Sequence, residues 1–187
     1  MLALETTVVA YLESNSSDRL AAALAAAQAF DKTTATAADF TQAFTALHDS
    51  YYTCLALAVP MDQWSFNTST YYTVDSMPYY IDTTNKLAQA IGFRSNMTMD
   101  ELVIPCSITV NGEEYAVVSF INKYQNWQNI KQVTLPASLV HLGDYAFRSY
   151  QQLQELDVPE NVASIGSYIF YSADQLRLLR LHALTPP

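Results

Sequence analysis

Basic residues, glycine and cysteine are all scarce in this sequence of 187 residues, and each scarcity removes a class of function. Nine Lys+Arg against 18 Asp+Glu leave a formal charge of −9 at neutral pH. The chain therefore lacks the basic stripe that displaces counterions from phosphates, and nucleic acid is not an expected partner. Its acids are dispersed, ten with four bases in residues 1–100 and eight with five bases in residues 101–187, so there is no acidic tail. Four glycines leave no room for a Gly-rich phosphate loop. Cys54 and Cys106 have neither CxxC spacing nor a histidine close in sequence, so no metal centre, redox pair or cofactor is expected. Whether the two thiols bridge each other or stay free is open at this level.

Long apolar runs are also missing. The greasiest stretch, 51–61, is about half of the ~20 residues a membrane span needs, and it carries Thr53 and Pro60. The first base is Arg19, after Glu5, Glu13 and Asp18, so no positively charged leader opens the chain and any export signal is absent from it. Half the residues are apolar but only 14% are charged, against roughly 25% in ordinary soluble domains. Thr, Ser, Gln, Asn and Tyr must cover the surface instead, which suits an extracellular protein.

What is present divides at about residue 100. Residues 1–100 read as helical. Ser16 and Ser17 precede an alanine-rich run, 20–30, with Leu20, Leu24, Ala27 and Phe30 on one helical face. Thr36 with Asp39 three residues later has the form of a capping box. It opens a longer helix with Phe40, Phe44, Leu47, Tyr51, Cys54 and Leu55 as apolar positions, ended by Pro60. A third, short helix is expected over 86–91, closed by Gly92. The Thr- and Tyr-rich stretch 64–80 between them suits short strands.

From Leu102 onward a repeat governs the texture. An offset of 23 carries Leu135-Pro136 onto Val158-Pro159, and likewise Leu139 onto Val162, Leu142 onto Ile165, Gly143 onto Gly166, Tyr145 onto Tyr168, Phe147 onto Phe170, Leu153 onto Leu176 and Leu156 onto Leu179. Each unit has a short L-x-x-L-x-L/V strand, a proline that stops the ladder, and a glycine expected to permit a tight turn. Stacked units would bury one continuous core that no single unit could bury alone. A degenerate first unit begins at Ile104-Pro105. Asn111-Gly112 supplies its excess length as a β-hairpin, Val118-Ser119-Phe120 takes the place of Val140-His141-Leu142, and Tyr124 and Trp127 are available to fill the remaining space.

These residues resemble the BspA-type leucine-rich repeats of bacterial surface proteins. The pattern is read in Leu135-Pro136 through Leu142-Gly143-Asp144-Tyr145-Ala146-Phe147, and again in Val158-Pro159 through Ile165-Gly166-Ser167-Tyr168-Ile169-Phe170. Tyr150 and Ala173 depart from it, standing where the family often has a small residue. The resemblance covers residues 103–187. It implies a secreted or outer-surface protein that binds a protein or glycan and performs no chemistry. Thr185-Pro186-Pro187 resembles a phrase that commonly leads into further units. Residues 1–100 match no family by inspection and are read either as a cap over the open end of the repeats or as a separate binding domain.

The residues themselves offer little for catalysis. His48, His141 and His182 stand far apart in sequence, no G-x-S-x-G elbow is present, and Glu113-Glu114 would point to opposite faces of a strand. Asn15, Asn67 and Asn96 begin N-glycosylation patterns that a bacterial origin would make silent. Two ligand surfaces are candidates. One is the open strand face of the repeats, Gln132, Thr134, Glu155, Asp157, Leu178 and Arg180, where Asp157 and Arg180 would be neighbours. The other is the aromatic crowd including Trp64, Tyr71 and Tyr72, residues of the kind on which sugars stack.

The expected fold is thus α+β: a helical domain over 1–100, then a short leucine-rich-repeat solenoid over 101–187 with a lead-in β-hairpin and about three units, the first degenerate. The expected function is a non-catalytic surface recognition or adhesion module, with no enzyme activity. The alternative is a structural scaffold or a fragment of a longer repeat protein, with self-association through the edge formed by Leu178 and Leu181.

Overall fold

Three helices open the chain: α1 (Leu2–Ser14), α2 (Asp18–Gln28) and α3 (Ala37–Ala58). The computed structural model describes residues 1–14, 17–29, 33–93, 99–124 and 129–182. Phe30, Trp127, Thr185-Pro186-Pro187 and two of the glycosylation patterns, those at Asn15 and Asn96, fall wholly or partly outside the described residues. The α3 start is the expected capping box: Asp39 N–H donates to Thr36 Oγ1 at 3.2 Å and Thr36 N–H donates to Asp39 Oδ2 at 2.9 Å. Two stripes of α3 are used, each at helical spacing. Leu47, Tyr51 and Cys54 close a small cluster with Val8, Leu20, Leu24 and Ala27 of α1 and α2. Tyr52, Ala56 and Val59 face the strands instead. The helix thereby couples two cores, and Phe40, expected inside, is 41% exposed. No helix among the described residues is long and apolar enough to cross a membrane.

After a 3₁₀ turn at Met61–Gln63 the strands follow in order: β1 (Tyr72–Val74), β2 (Met77–Asp82), β3 (Leu87–Ala90), β4 (Glu101–Val103), β5 (Ser107–Val110), β6 (Glu113–Phe120), β7 (Gln132–Thr134), β8 (His141–Leu142), β9 (Glu155–Val158), β10 (Ser164–Ile165) and β11 (Leu178–Leu181). The short helix expected over 86–91 is strand β3, and the helical reading of residues 1–100 stops at Ala58. A single turn of helix is costly to nucleate. Here β2 and β6 satisfy the segment's backbone from both sides, and left-handed Lys86 and Gly92, at φ 56° and 76°, turn the chain at its two ends.

One sheet runs β1-β2-β3-β6-β8-β10, with β5 also paired to β6, so it spans residue 100. β1 to β3 are antiparallel, and β3, β6, β8 and β10 are parallel neighbours. Asn111-Gly112 makes the predicted hairpin with both φ positive, at 53° and 83°. Asp75-Ser76 makes a second turn of the same kind, φ 47° and 69°, without a glycine to announce it. A register shift opposite Ala88/Gln89 puts a bulge in β6. Ala116 and Val118 face α3, while Tyr115, Val117 and, past the bulge, Phe120 face the main core.

The repeat is physically a ladder. Ser164 pairs with His141 and Ile165 with Leu142, while Leu178 to Leu181 pair in parallel with Glu155 to Val158, all at the offset of 23 read from sequence. Ser119 and Phe120 pair with His141 and Leu142, so the degenerate first unit does occupy the expected place. Phe147 stacks on Phe170 at 5.8 Å and lies 5.4 Å from Phe120, and Tyr145 stacks on Tyr168 at 5.6 Å. Tyr150 is fully buried edge-on to Phe147, so the departure from the family pattern is absorbed in packing.

The repeat glycines do not make the tight turns expected of them. Gly143 and Gly166 do not carry the positive φ; the left-handed positions are Tyr145 and Tyr168, at 57° and 55°, with Ser149 and Ser172 at 61° and 58°. The glycines are there for closeness. A Cβ on Gly143 would meet Ile121 Cγ2 at 2.4 Å, and one on Gly166 would meet the Asp144 backbone nitrogen at 2.5 Å.

Candidate functional site

The second, smaller set of ladders, β4-β7 and β9-β11, covers the side of the main core away from the long sheet. Period-2 alternation decides what it shows outward. Val133 is buried between exposed Gln132 and Thr134, and Leu156 and Val158 are buried while Glu155 and Asp157 are exposed. β9 lies beside β7, so these residues form one continuous face. A groove of about 660 Å³ crosses it, lined by Gln132, Thr134, Glu155, Asp157, Lys131 and His182. Four of the residues expected on the repeat face therefore share one groove. Arg180 lies at its downstream side, donating from Nη2 to Glu155 at 2.9 Å and from Nη1 to Asp157 at 3.3 Å. The hydrogen bond to Glu155, then the charge of Asp157, raise the guanidinium's already high pKa. Leu178 stands in register with Glu155 and is 39% exposed. His182 Nε2 is 3.3 Å from Asp157 Oδ1, a contact that the sequence reading did not include.

The repeat spacing, the parallel registers and the stacked Phe and Tyr rows coincide with a family match. Residues 120–184 match the family model of the BspA type leucine-rich repeat region. The N-terminal part of the chain matches no family model, and no curated protein matches the chain. Three solved structures are similar. A leucine-rich repeat protein from Bacteroides capillosus ATCC 29799 is 18% identical with a TM-score of 0.43, the match covering 59% of this chain and 97% of that one. One from Bacteroides ovatus ATCC 8483 is 18% identical with a TM-score of 0.33, covering 59% of this chain and 41% of that one. A leucine rich cell surface protein from Faecalibacterium prausnitzii A2-165 is 12% identical with a TM-score of 0.30, covering 65% of this chain and 57% of that one.

The aromatic candidates are not brought to one face. Trp64 donates its indole N–H to the Val59 carbonyl at 3.0 Å and meets Phe66 edge-on at 5.8 Å, and both rings pack into the seam between α3 and the repeat sheet. Tyr72 packs on the main core, and Tyr79 and Tyr80 are buried. Tyr71 is 38% exposed. Glu113 and Glu114 do diverge: Glu113 takes Lys86 Nζ at 2.7 Å, whereas Glu114 accepts a hydrogen bond from Tyr52 of α3.

A third arrangement escaped sequence reading. Docking of α3 on the sheet brings His48 and Asp49 against Cys106, which precedes β5. The Cys106 thiol donates to Asp49 Oδ1 at 2.8 Å, and its Sγ lies 3.3 Å from His48 Nδ1. Asp49 Oδ1 is 3.2 Å from the same nitrogen, while Ser107 Oγ is 3.3 Å from Nε2. Burial, reinforced by the Asp49 carboxylate, pushes the thiol well above its usual range, so Cys106 alone is a protonated thiol and a poor nucleophile. The hydrogen bond with His48, joined by that from Cys106, outweighs burial and holds the Asp49 carboxyl below its usual range. Both cysteines are free, and Cys54 contacts Ser17 Oγ at 3.2 Å instead.

Proposed function

We propose that the chain is a non-catalytic recognition module of a bacterial outer surface or secreted protein, binding a protein or glycan on the groove across β7 and β9 of a short solenoid. The observation that carries this reading is the groove itself: polar side chains repeated at ladder spacing on a face whose alternate residues are locked in the core. Rigid backbones bearing exposed Gln, Thr, Asp and Glu offer hydrogen-bond acceptors and donors at strand spacing, which suits an extended peptide or a sugar chain. Surface location and absence of catalysis follow the repeat family, and the shortage of charge agrees with an extracellular setting.

The test is binding of the purified chain to immobilised host matrix proteins and to bacterial and host polysaccharides, beside Asp157→Lys and Tyr71→Ala variants. The reading expects a saturable ligand whose affinity falls at least about tenfold in Asp157→Lys, the cost of reversing a charge in a contact, and is unchanged in Tyr71→Ala. Absence of any ligand, or binding indifferent to Asp157→Lys, overturns it. The scaffold reading would then gain, since exposed Leu178, Leu179 and Leu181 of β11 are an edge that another unit or copy would cover.

A further inference from the structure

The contact between α3 and the strands holds a set of donor atoms that packing does not require. His48 Nδ1, Asp49 Oδ1 and Cys106 Sγ form a triangle with edges of 3.2, 2.8 and 3.3 Å. It is the one group of three such side chains among the described residues whose ligand atoms converge in this way. Protons now bridge these atoms: the thiol donates to Asp49 Oδ1, and the His48 Nδ1 proton is within reach of the same oxygen. Nδ1 of a neutral imidazole has either a proton or a lone pair, so it can donate to Asp49 or accept from the thiol but not both. Two protons thus serve the three edges, whereas a cation at the centre would engage all three atoms at once.

We propose that His48, Asp49 and Cys106 form a binding site for a single divalent cation of the zinc class, with one further coordination position facing solvent. The donor set selects the metal. Thiolate and imidazole suit zinc and its neighbours, whereas calcium and magnesium take oxygen ligands. Tetrahedral zinc, with bonds of about 2.3 Å to sulfur and about 2.0 Å to nitrogen or oxygen, sets ligand edges of roughly 3.3 to 3.6 Å. The triangle would open by about 0.7 Å along the Cys106–Asp49 edge, where the thiol hydrogen bond now lies, and by about 0.2 Å or less along the other two.

Binding breaks the S–H bond, releases its proton to water and forms metal–sulfur, metal–nitrogen and metal–oxygen bonds, with no change of oxidation state. The surroundings prepare it. Phe44 stacks on the imidazole at 5.7 Å and Tyr52 tilts against it at 4.7 Å, fixing the ring. Ser107 Oγ can accept a hydrogen bond from Nε2–H, which holds the tautomer whose Nδ1 lone pair is free for the metal, as outer partners of ligand histidines do. Access is graded: the Asp49 side chain is 45% exposed and the His48 side chain 20%, while Cys106 is buried. The open position thus lies toward Asp49.

The site is independent of the groove, and it ties α3 to the strands. It is tested by titrating the full chain, stripped of metal, with Co²⁺. One equivalent is expected to give a near-ultraviolet sulfur-to-cobalt charge-transfer band, abolished by added Zn²⁺. Cys106→Ser abolishes the band, while Cys54→Ser keeps it. Asp49→Asn changes a partly exposed side chain and leaves the fold intact; it weakens zinc by at least about tenfold, and Ser107→Ala by about tenfold through the ring alone. A wild-type chain without the band, or a band that survives Cys106→Ser or Asp49→Asn undiminished, overturns the proposal.

Discussion

At the upstream end of the parallel stack, β6 is hydrogen-bonded to β3 and carries α3 across its face. At the downstream end, β11 pairs with β9 and exposes Leu178, Leu179 and Leu181. The sequence of the repeat is the same kind of sequence at both ends. Leu156 and Leu179 are register partners, yet one is 1% exposed and the other 39%. Phe147 is fully buried between Phe120 and Phe170, whereas Phe170 itself is only partly buried. Burial in a stack belongs to the neighbour as much as to the residue, because each unit supplies the wall of the next. At the upstream end the wall is built of non-repeat material, a three-strand extension (β1-β2-β3) and a helix. The strands continue the edge of the ladder, and α3 covers its face rather than its end.

Truncating the register partners is the strongest way to test that contrast. Leu156→Ala should cost about 2 to 5 kcal/mol, as large-to-small changes in packed cores do, while Leu179→Ala should cost less than about 1 kcal/mol, as at an exposed site. Urea unfolding of both variants measures the difference. Equal losses would mean that Leu179 is covered in solution by another surface, and the contrast between the ends would fail.

A smaller effect separates the two repeat glycines, which sequence treats as equivalent. The Cβ of an alanine at 166 meets the backbone nitrogen of Asp144 and the carbonyl carbon of Gly143, which cannot move without moving the ladder. At 143 it meets the Ile121 side chain, which can change rotamer. Gly166→Ala should therefore lower stability by about 2 kcal/mol and Gly143→Ala by about half as much. Thermal melts of the two variants decide it; the reverse order would place the rigid contact upstream.

The contrast also explains what could be read from sequence. The 23-residue offset was legible because parallel register and chemical identity coincide at every unit, and the capping box and Asn-Gly hairpin because each is a local rule satisfied by adjacent residues. β3 was not legible. Leu87-Ala88-Gln89-Ala90 has helix-forming composition, and only its two partners, one of them beyond residue 100, make it a strand. The left-handed Tyr145 and Tyr168 were hidden behind the glycines two residues earlier. The face residues Gln132, Thr134, Glu155 and Asp157 were found because alternation along a strand is a sequence property. The triangle of His48, Asp49 and Cys106 was missed because Cys106 and His48 are 58 positions apart and meet only through the docking of α3. No spacing rule encodes that meeting.

Polar contacts at the two ends should differ in the same sense. Asp82, fully buried at the close of β2, accepts the backbone N–H groups of Ser65 at 2.8 Å and of Thr84 and Asn85 at 3.0 Å, with the Asn85 side chain at 2.7 Å. Burial alone would raise its carboxyl, but the bonds from Asn85, Ser65 and Thr84 outweigh it and hold the group below its usual range. A depressed carboxylate contributes stability that is fully present above its unfolded value, about 3.9, and that is lost as pH falls through the lower folded value. Asp82→Asn should thus cost about 1 to 2 kcal/mol at pH 7, the loss of charged acceptors for buried donors, and its deficit against the wild type should shrink as pH drops from about 5 toward 2. The Arg180 pairs with Glu155 and Asp157 are exposed, so Arg180→Ala at the downstream end should cost less than Asp82→Asn, and that cost should vanish in salt. Melting temperatures at pH 7 and pH 3, with and without added salt, read both. A pH-independent deficit for Asp82→Asn would show that shape and not charge holds the turn between β2 and β3, and that the upstream wall is secured by packing alone.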